Sequence, residues 1–284
     1  MHTLSLADGT QWPTLGLGTW RMGEVARSRR AEVAAVRAAL EMGYRLIDTA
    51  EMYGDGGAEE VVGAALAEAL RAGVCEREDV TVVSKVLPSN ASRRGTLAAC
   101  ERSLRRMGLD RIDLYLLHWP GSHPLRDTVV AFEQLAERRA IGRWGVSNFD
   151  LAAMKRLLAL PGGQACAANQ VYYSLGQRGI DFDLRPWQRE RGLPLMAYCP
   201  IDQGALAGHA RLAAIAAPLG LSAAQLALAW TLRDGDVIAI PKAVREPHLR
   251  SNFAAAELRL DAPTLAALDA IFAPPRGPVT LAVS

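Results

Sequence analysis

The 284-residue sequence predicts an α/β chain folded as a single (β/α)8 TIM barrel, and three observations carry that reading. Short β-branched runs alternate with longer amphipathic stretches along the whole chain. The candidate strands begin 30, 35, 32, 29, 27, 27 and 42 residues apart, roughly the length of one strand-plus-helix unit. Several runs are apolar throughout, as in Leu114-Tyr115-Leu116-Leu117, which suits a parallel sheet covered on both faces.

Taken in order, Thr3–Leu6 and Gln11–Pro13 flank Asp8-Gly9 and predict a β-hairpin ahead of the barrel. Eight strands follow, at Leu15–Gly18, Arg45–Asp48, Val80–Lys85, Ile112–His118, Ile141–Ser147, Ala168–Tyr172, Leu195–Tyr198 and Val237–Ile240. Between them lie helix patterns such as Val61, Val62, Ala65, Leu66, Ala69 and Leu70, which fall on a single helical face. The long seventh interval leaves room for an extra helix around Ala210–Leu219. A last helix is expected over Asp261–Ile271, with Pro263 in its first turn. No linker or low-complexity segment divides residues 1–284, so one domain is expected. A doubly wound open sheet fits less well, because Gly16-x-Gly18 lacks a third glycine and an acid about 20 residues on.

Composition excludes several classes. Half the residues are apolar, too many for a disordered chain, and a net charge of +2 gives no global field for nucleic acid or a membrane surface. The apolar runs are too short to span a bilayer, and the segment up to Thr10 contains Asp8 and lacks the core of a signal peptide. Cys75, Cys100, Cys166 and Cys199 are scattered without a C-x-x-C, as expected of reduced thiols in a cytoplasmic protein. A monomer without nucleic-acid or membrane partners is expected.

The chemistry of a parallel barrel sits at the carboxyl ends of its strands. Here the second strand ends in Asp48, the third in Lys85 and the fourth in His118, while Tyr53 lies in the loop five residues past Asp48. Singly, these residues have duller roles: a helix cap, a surface lysine, a core histidine, a loop aromatic. Jointly, an acid, a lysine, a phenol and an imidazole make a proton-transfer device. Lys85 is also one of only three lysines, with Lys155 and Lys242, against 29 arginines. A metal site at His118 and His123 is not expected, because Pro120 and Gly121 between them break any shared helical face.

Gly43-Tyr44-Arg45-Leu46-Ile47-Asp48-Thr49-Ala50-Glu51-Met52-Tyr53-Gly54 resembles the first signature of the aldo-keto reductases. Ser84-Lys85, Leu117-His118-Trp119-Pro120, Gly145-Val146-Ser147-Asn148-Phe149, Asn169-Gln170 and Ile240-Pro241-Lys242 match the rest in order. The ending Ile271-Phe272-Ala273-Pro274-Pro275 resembles the bacterial methylglyoxal-reductase-like branch. The resemblance implies an NADP(H)-dependent carbonyl oxidoreductase with the tetrad Asp48, Tyr53, Lys85 and His118. The mechanism it implies passes hydride from the nicotinamide to the carbonyl carbon of a small aldehyde or ketone, with Tyr53 protonating the alkoxide as general acid. A free phenol near pKa 10 is a poor acid at neutral pH. Lys85 eases its ionisation, Asp48 holds that lysine, and His118 positions the carbonyl.

The resemblance also implies a cofactor set: Gly18, Thr19, Trp20 and Asp48, with Ser147, Asn148 and Gln170 on the nicotinamide carboxamide and Tyr198 stacked on its ring. Cys199, Pro200, Ile201, Gln203 and Gly204 would cover the pyrophosphate. Ile240, Pro241, Lys242, Ala243, Arg245, His248 and Asn252, with Arg250 nearby, would hold the adenosine 2′-phosphate end. Ala243 stands where a phosphate-binding serine is usual and His248 where an arginine is common, so NAD(H) is admitted as a second cofactor. Ser147-Asn148 also reads as a turn and helix cap before Leu151. The substrate pocket would be lined by Trp20, Met52, Leu87 and Trp119, left open by the few residues that follow Ile271. Two rivals compete with this reading: a cofactor-binding regulatory or redox-sensor barrel with little turnover, and a glycosidase using Asp48 and Glu51. The intact tetrad opposes the first, and the second leaves Tyr53, Lys85 and Gln170 without work.

Overall fold

The computed structural model describes residues 2–6 and 8–284; Met1 and Ala7 lie outside it. In chain order the elements are β1 (Thr3–Ser5), β2 (Gln11–Pro13), β3 (Leu17–Gly18), α1 (Arg29–Glu41), β4 (Leu46–Asp48), α2 (Gly57–Arg71), β5 (Thr81–Val86), α3 (Arg93–Met107), β6 (Ile112–Leu117), α4 (Leu125–Glu137), β7 (Ile141–Ser147) and α5 (Leu151–Leu158). They continue with β8 (Cys166–Tyr172), α6 (Leu184–Glu190), β9 (Leu195–Tyr198), α7 (Ala210–Ala216), α8 (Ala223–Leu232), β10 (Val237–Ala239), α9 (Glu246–Ala255) and α10 (Ala262–Asp269). Strands β3 to β10 form an eight-stranded sheet in chain order, parallel in its registered pairs, with helices between the strands. This is the predicted (β/α)8 fold, and β1 pairs with β2 as the predicted hairpin.

The chain forms two compact units. One holds Leu17–Asn169 and Lys242–Glu246; the other holds Met1–Gly16, Gln170–Pro241 and Pro247–Ser284. In the first unit, strands β4 to β7 are almost wholly buried, with Leu46, Val82, Val83, Leu114, Leu116 and Val146 at 1% exposure or less. The face of α2 predicted from periodicity buries Val61, Val62, Ala65, Leu66 and Ala69, and only Leu70 keeps partial exposure. In the second unit, α8 is buried almost all round, and Ser222 caps it through a capping box with Gln225.

The predicted strand limits need small corrections. Leu15–Gly18 is a strand only over Leu17–Gly18, because Leu15 bridges Ala239 and Gly16 N–H donates to the Ala239 carbonyl at 2.9 Å. The chain pairs first with β10 and only then with β4, so one run of residues serves two neighbours. Val80 and His118 fall just outside their strands, while Val86 extends β5. The extra helix and the last helix appear as α7 and α10, with Pro263 in the first turn of α10. Among the described residues no single helix is long and apolar enough to cross a membrane.

Candidate active site

All four tetrad residues belong to the first unit, at the carboxyl ends of β4, β5 and β6 and in the loop after β4. Parallel register sets Gly18 beside Asp48, and Asp48 beside Val83. The Asp48 carbonyl accepts from Thr19 N–H at 3.0 Å and from Thr19 Oγ1 at 2.9 Å. Strand alternation sends Lys85 and Ser84 to opposite faces of β5.

Lys85 is fully buried, and its Nζ donates to Asp48 Oδ1 at 2.6 Å, to the Thr49 carbonyl at 2.9 Å and to Tyr53 Oη at 3.2 Å. Three acceptors saturate the three protons of an ammonium. Burial pushes the lysine below its ordinary range, and the Asp48 charge and hydrogen bond pull it back up. The Tyr53 and His118 rings meet edge to face, 5.7 Å between centroids, and the His118 ring lies 4.9 Å from that of Trp119. Burial, and then the Lys85 charge, drive His118 down from 6.5 to about 2, so its ring is neutral at any ordinary pH. Its Nδ1 is buried and has no hydrogen-bond partner among the described residues.

The arrangement is one chain of contacts: carboxylate, ammonium, phenol, neutral imidazole. Around it, Trp20, Met52, Leu87 and Trp119 follow β3, β4, β5 and β6 in turn, and each keeps contact with solvent. Asn148 adopts a left-handed φ of 61° and donates through Nδ2 to the His118 carbonyl at 3.1 Å and to Ser147 Oγ at 3.3 Å. That ties the end of β7 to the end of β6 and brings Ser147 and Asn148 to the tetrad. The cap of α5 is Asp150, accepting from Ala153 N–H at 2.7 Å, and not the Ser147-Asn148 pair.

The rest of the expected cofactor set divides between the units. In the first, Lys242 and Arg245 are exposed, Ala243 is buried, and Lys242 bridges Gly18. In the second, Gln170 is buried on β8, Tyr198 ends β9 with its ring 5.4 Å from Tyr172, and Ile240 and Pro241 are buried after β10. After Tyr198 the backbone turns through positive φ at Cys199, Asp202, Gln203 and Gly204, with Pro200 and Ile201 between them. Asn252 is buried in α9, on which His248 and Arg250 stand exposed.

Sequence reasoning missed the buried Glu59 and considered Glu51 only as the second acid of a glycosidase. Glu59 of α2 accepts from Ser84 Oγ and Arg106 Nε, both at 2.6 Å. Glu51 accepts from Leu87 N–H, Asn90 and Arg102, so the second acid of the glycosidase reading is engaged within the protein. The signal available was an acid standing inside an otherwise uncharged stretch between Asp48 and Tyr53.

Comparison with known proteins bears on the family and the fold. The model of the aldo/keto reductase family matches residues 14–273. Methylglyoxal reductase YeaE of Escherichia coli is 48% identical over 274 residues, covering 95% of this chain and 94% of that protein. Glyoxal reductase of Bacillus subtilis is 35% identical over 269 residues, covering 95% and 92%. The crystal structure of an aldo-keto reductase from Klebsiella pneumoniae in complex with NADPH superposes with a TM-score of 0.94 at 44% identity, covering 100% of this chain and 99% of that one. With that match over nearly its whole length, the chain belongs to the aldo/keto reductase family.

Proposed function

We propose that the protein reduces small aldehydes and ketones, dicarbonyls of the methylglyoxal kind among them, at the expense of NADPH, with Tyr53 as the proton donor. The observation that carries this reading is the hydrogen-bonded chain from Asp48 through Lys85 to Tyr53, with the neutral His118 ring against the phenol. Support for the substrate class comes from the similarity to methylglyoxal and glyoxal reductases, and for the cofactor from the NADPH-bound relative.

The donor set present fits such a cofactor. Within the first unit, Ser147 Oγ and the Asn148 amide offer both a donor and an acceptor to a carboxamide. In the first unit Lys242 and Arg245 are exposed cations suited to a phosphate; in the second, Tyr198 presents a partly exposed ring, and Arg250 is an exposed cation with His248 exposed on the same helix. When bound, reduced NADP supplies a hydride to the carbonyl carbon. The chain's own residues do the rest. Neutral His118 offers an N–H to the carbonyl oxygen, and Tyr53 Oη delivers a proton as the alkoxide forms. The buried Lys85 charge stabilises the phenolate left behind, and Asp48 keeps that lysine charged and in place. Trp20, Met52, Leu87 and Trp119 surround the carbonyl and admit small substrates.

Tyr53→Phe removes a group needed only in the transition state. Removing a general acid of this kind lowers kcat by about 100-fold or more and leaves NADPH affinity within about twofold of the parent. Steady-state NADPH consumption with methylglyoxal, together with a fluorescence titration of the cofactor, checks both. Near-normal kcat in Tyr53→Phe rejects the assignment.

A further inference from the structure

Glu51 stands two residues before Tyr53, and its carboxylate points back into the protein. Its side chain is 5% exposed, so whatever it does depends on its neighbours. Oε1 accepts from the Leu87 backbone N–H at 2.8 Å and from Asn90 Nδ2 at 2.9 Å, and Oε2 accepts from Arg102 Nη2 at 3.3 Å. Leu87 and Asn90 belong to the segment that leaves β5, and Arg102 to α3. The backbone N–H of Glu51 also donates to the carbonyl of Lys85, at 3.3 Å. Main chain and side chain of this one residue therefore fasten the loop that carries Tyr53 to the strand that carries Lys85.

On its other side, Tyr53 is followed by Gly54, Asp55 and Gly56, with φ of 58°, 52° and 88°. A Cβ at Gly54 would stand 2.8 Å from the Gly23 backbone, so that part of the loop rests directly on the chain after β3. Tyr53 thus hangs between two fixed points. One is steric and made of glycine backbone; the other is Glu51. Of the contacts Lys85 makes, that to Tyr53 Oη is the longest at 3.2 Å, and the phenol comes from a loop rather than a strand. It is the tetrad distance most sensitive to how that loop is held.

We propose that Glu51 is a positioning residue of this reductase: by bonding Leu87, Asn90 and Arg102 it sets the distance from Tyr53 to Lys85, and so the efficiency of proton delivery. The inference rests on Tyr53 being the proton donor. The hydrogen-bond partners of the Glu51 carboxylate among the described residues are all protein groups, so its effect passes through the phenol. A buried carboxylate taking an amide proton, an amide side chain and a guanidinium makes charge-assisted bonds, the strong and directional kind. Misplacing a reacting group by about 1 Å costs on the order of 100-fold in rate, so a clamp of this sort is visible in kinetics.

The test uses Glu51→Ala, Glu51→Gln, Asn90→Ala and Glu51→Ala in a Tyr53→Phe background. Each is assayed for kcat with methylglyoxal and, separately, for NADPH affinity by fluorescence titration. Glu51→Ala is expected to lower kcat by about 10-fold or more with cofactor affinity unchanged. Glu51→Gln keeps an acceptor for Leu87 and Asn90 and is expected to stay within a few-fold of the parent. Asn90→Ala, which removes one partner from a half-buried position, is expected to fall between them and gives the answer if Glu51→Ala does not fold. In the Tyr53→Phe background, Glu51→Ala should cause no further loss, because both changes act on one proton transfer. Parent-like kcat in Glu51→Ala or in Asn90→Ala, equal loss in Glu51→Ala and Glu51→Gln, or additive losses in the double variant each overturn the proposal. If instead Tyr53→Phe alone keeps its activity, the proton-donor reading fails first and takes this one with it.

Discussion

Burial lowers the pKa of both Lys85 and His118, but their neighbours act in opposite directions. Asp48, 2.6 Å from Lys85, raises the lysine against the effect of burial, whereas the Lys85 charge adds to burial in driving His118 down, so the imidazole stays neutral. That neutrality has a measurable consequence. The folded imidazole, driven down to about 2, refuses a proton that the unfolded chain accepts below pH 6.5. Stability present above pH 6.5 is therefore lost as the pH falls, by about 2 kcal/mol at pH 5 from this group alone. Urea unfolding at pH 8 and pH 5 should show His118→Gln losing less stability than the parent over that interval. Equal losses would mean that the histidine ionises in place. The grouping was legible in the sequence because Asp48, Lys85 and His118 each stand within a residue of the end of an apolar strand, where an ionisable side chain has no packing reason to be. Glu59 was not, and Glu51 entered only as a glycosidase's acid, since what makes them matter is the identity of partners 25 to 51 residues away.

Elements were read from period and propensity, and those signals place their centres better than their ends. Strands β7 and β9 fell on their predicted limits, whereas β3 did not, because the run before it pairs with β10. The turn after Tyr53 was expected as a plain loop and is a tight left-handed one leading straight into α2. Close packing of helices was also invisible. Gly63 sits on α2 where a Cβ would overlap the Met107 carbonyl oxygen and stand 2.7 Å from the Met107 Cα, so α2 and the end of α3 touch backbone to backbone. Gly63→Ala raises helix propensity yet forces these helices apart, and overpacking of this kind costs about 1–3 kcal/mol. A lower urea midpoint, with kcat per folded molecule preserved, is the expected outcome. A raised midpoint would mean that the helices separate freely.

At the scale of the molecule, the fold was legible because eight repeats of one unit leave few alternatives. The cofactor was not legible in composition: a net charge of +2 says nothing of a dinucleotide, and only the ordered motifs pointed to one. Binding should appear as linkage. A cofactor present at 100 times its Kd stabilises the folded state by about 3 kcal/mol, a Tm rise of several degrees in a chain of this length. NADPH should raise Tm more than NADH at equal concentration, and His248→Arg, by adding a permanent forked cation, should widen the gap. An unchanged gap would remove His248 from the phosphate site. The scarcity of lysine has one more consequence. Lys85 is sealed while Lys155 and Lys242 are exposed, so an amine-reactive reagent finds two lysine targets on the folded protein. One of the two stands in the proposed phosphate site, and its labelling rate, followed by intact mass, becomes a built-in footprint of occupancy, with Lys155 as the internal standard.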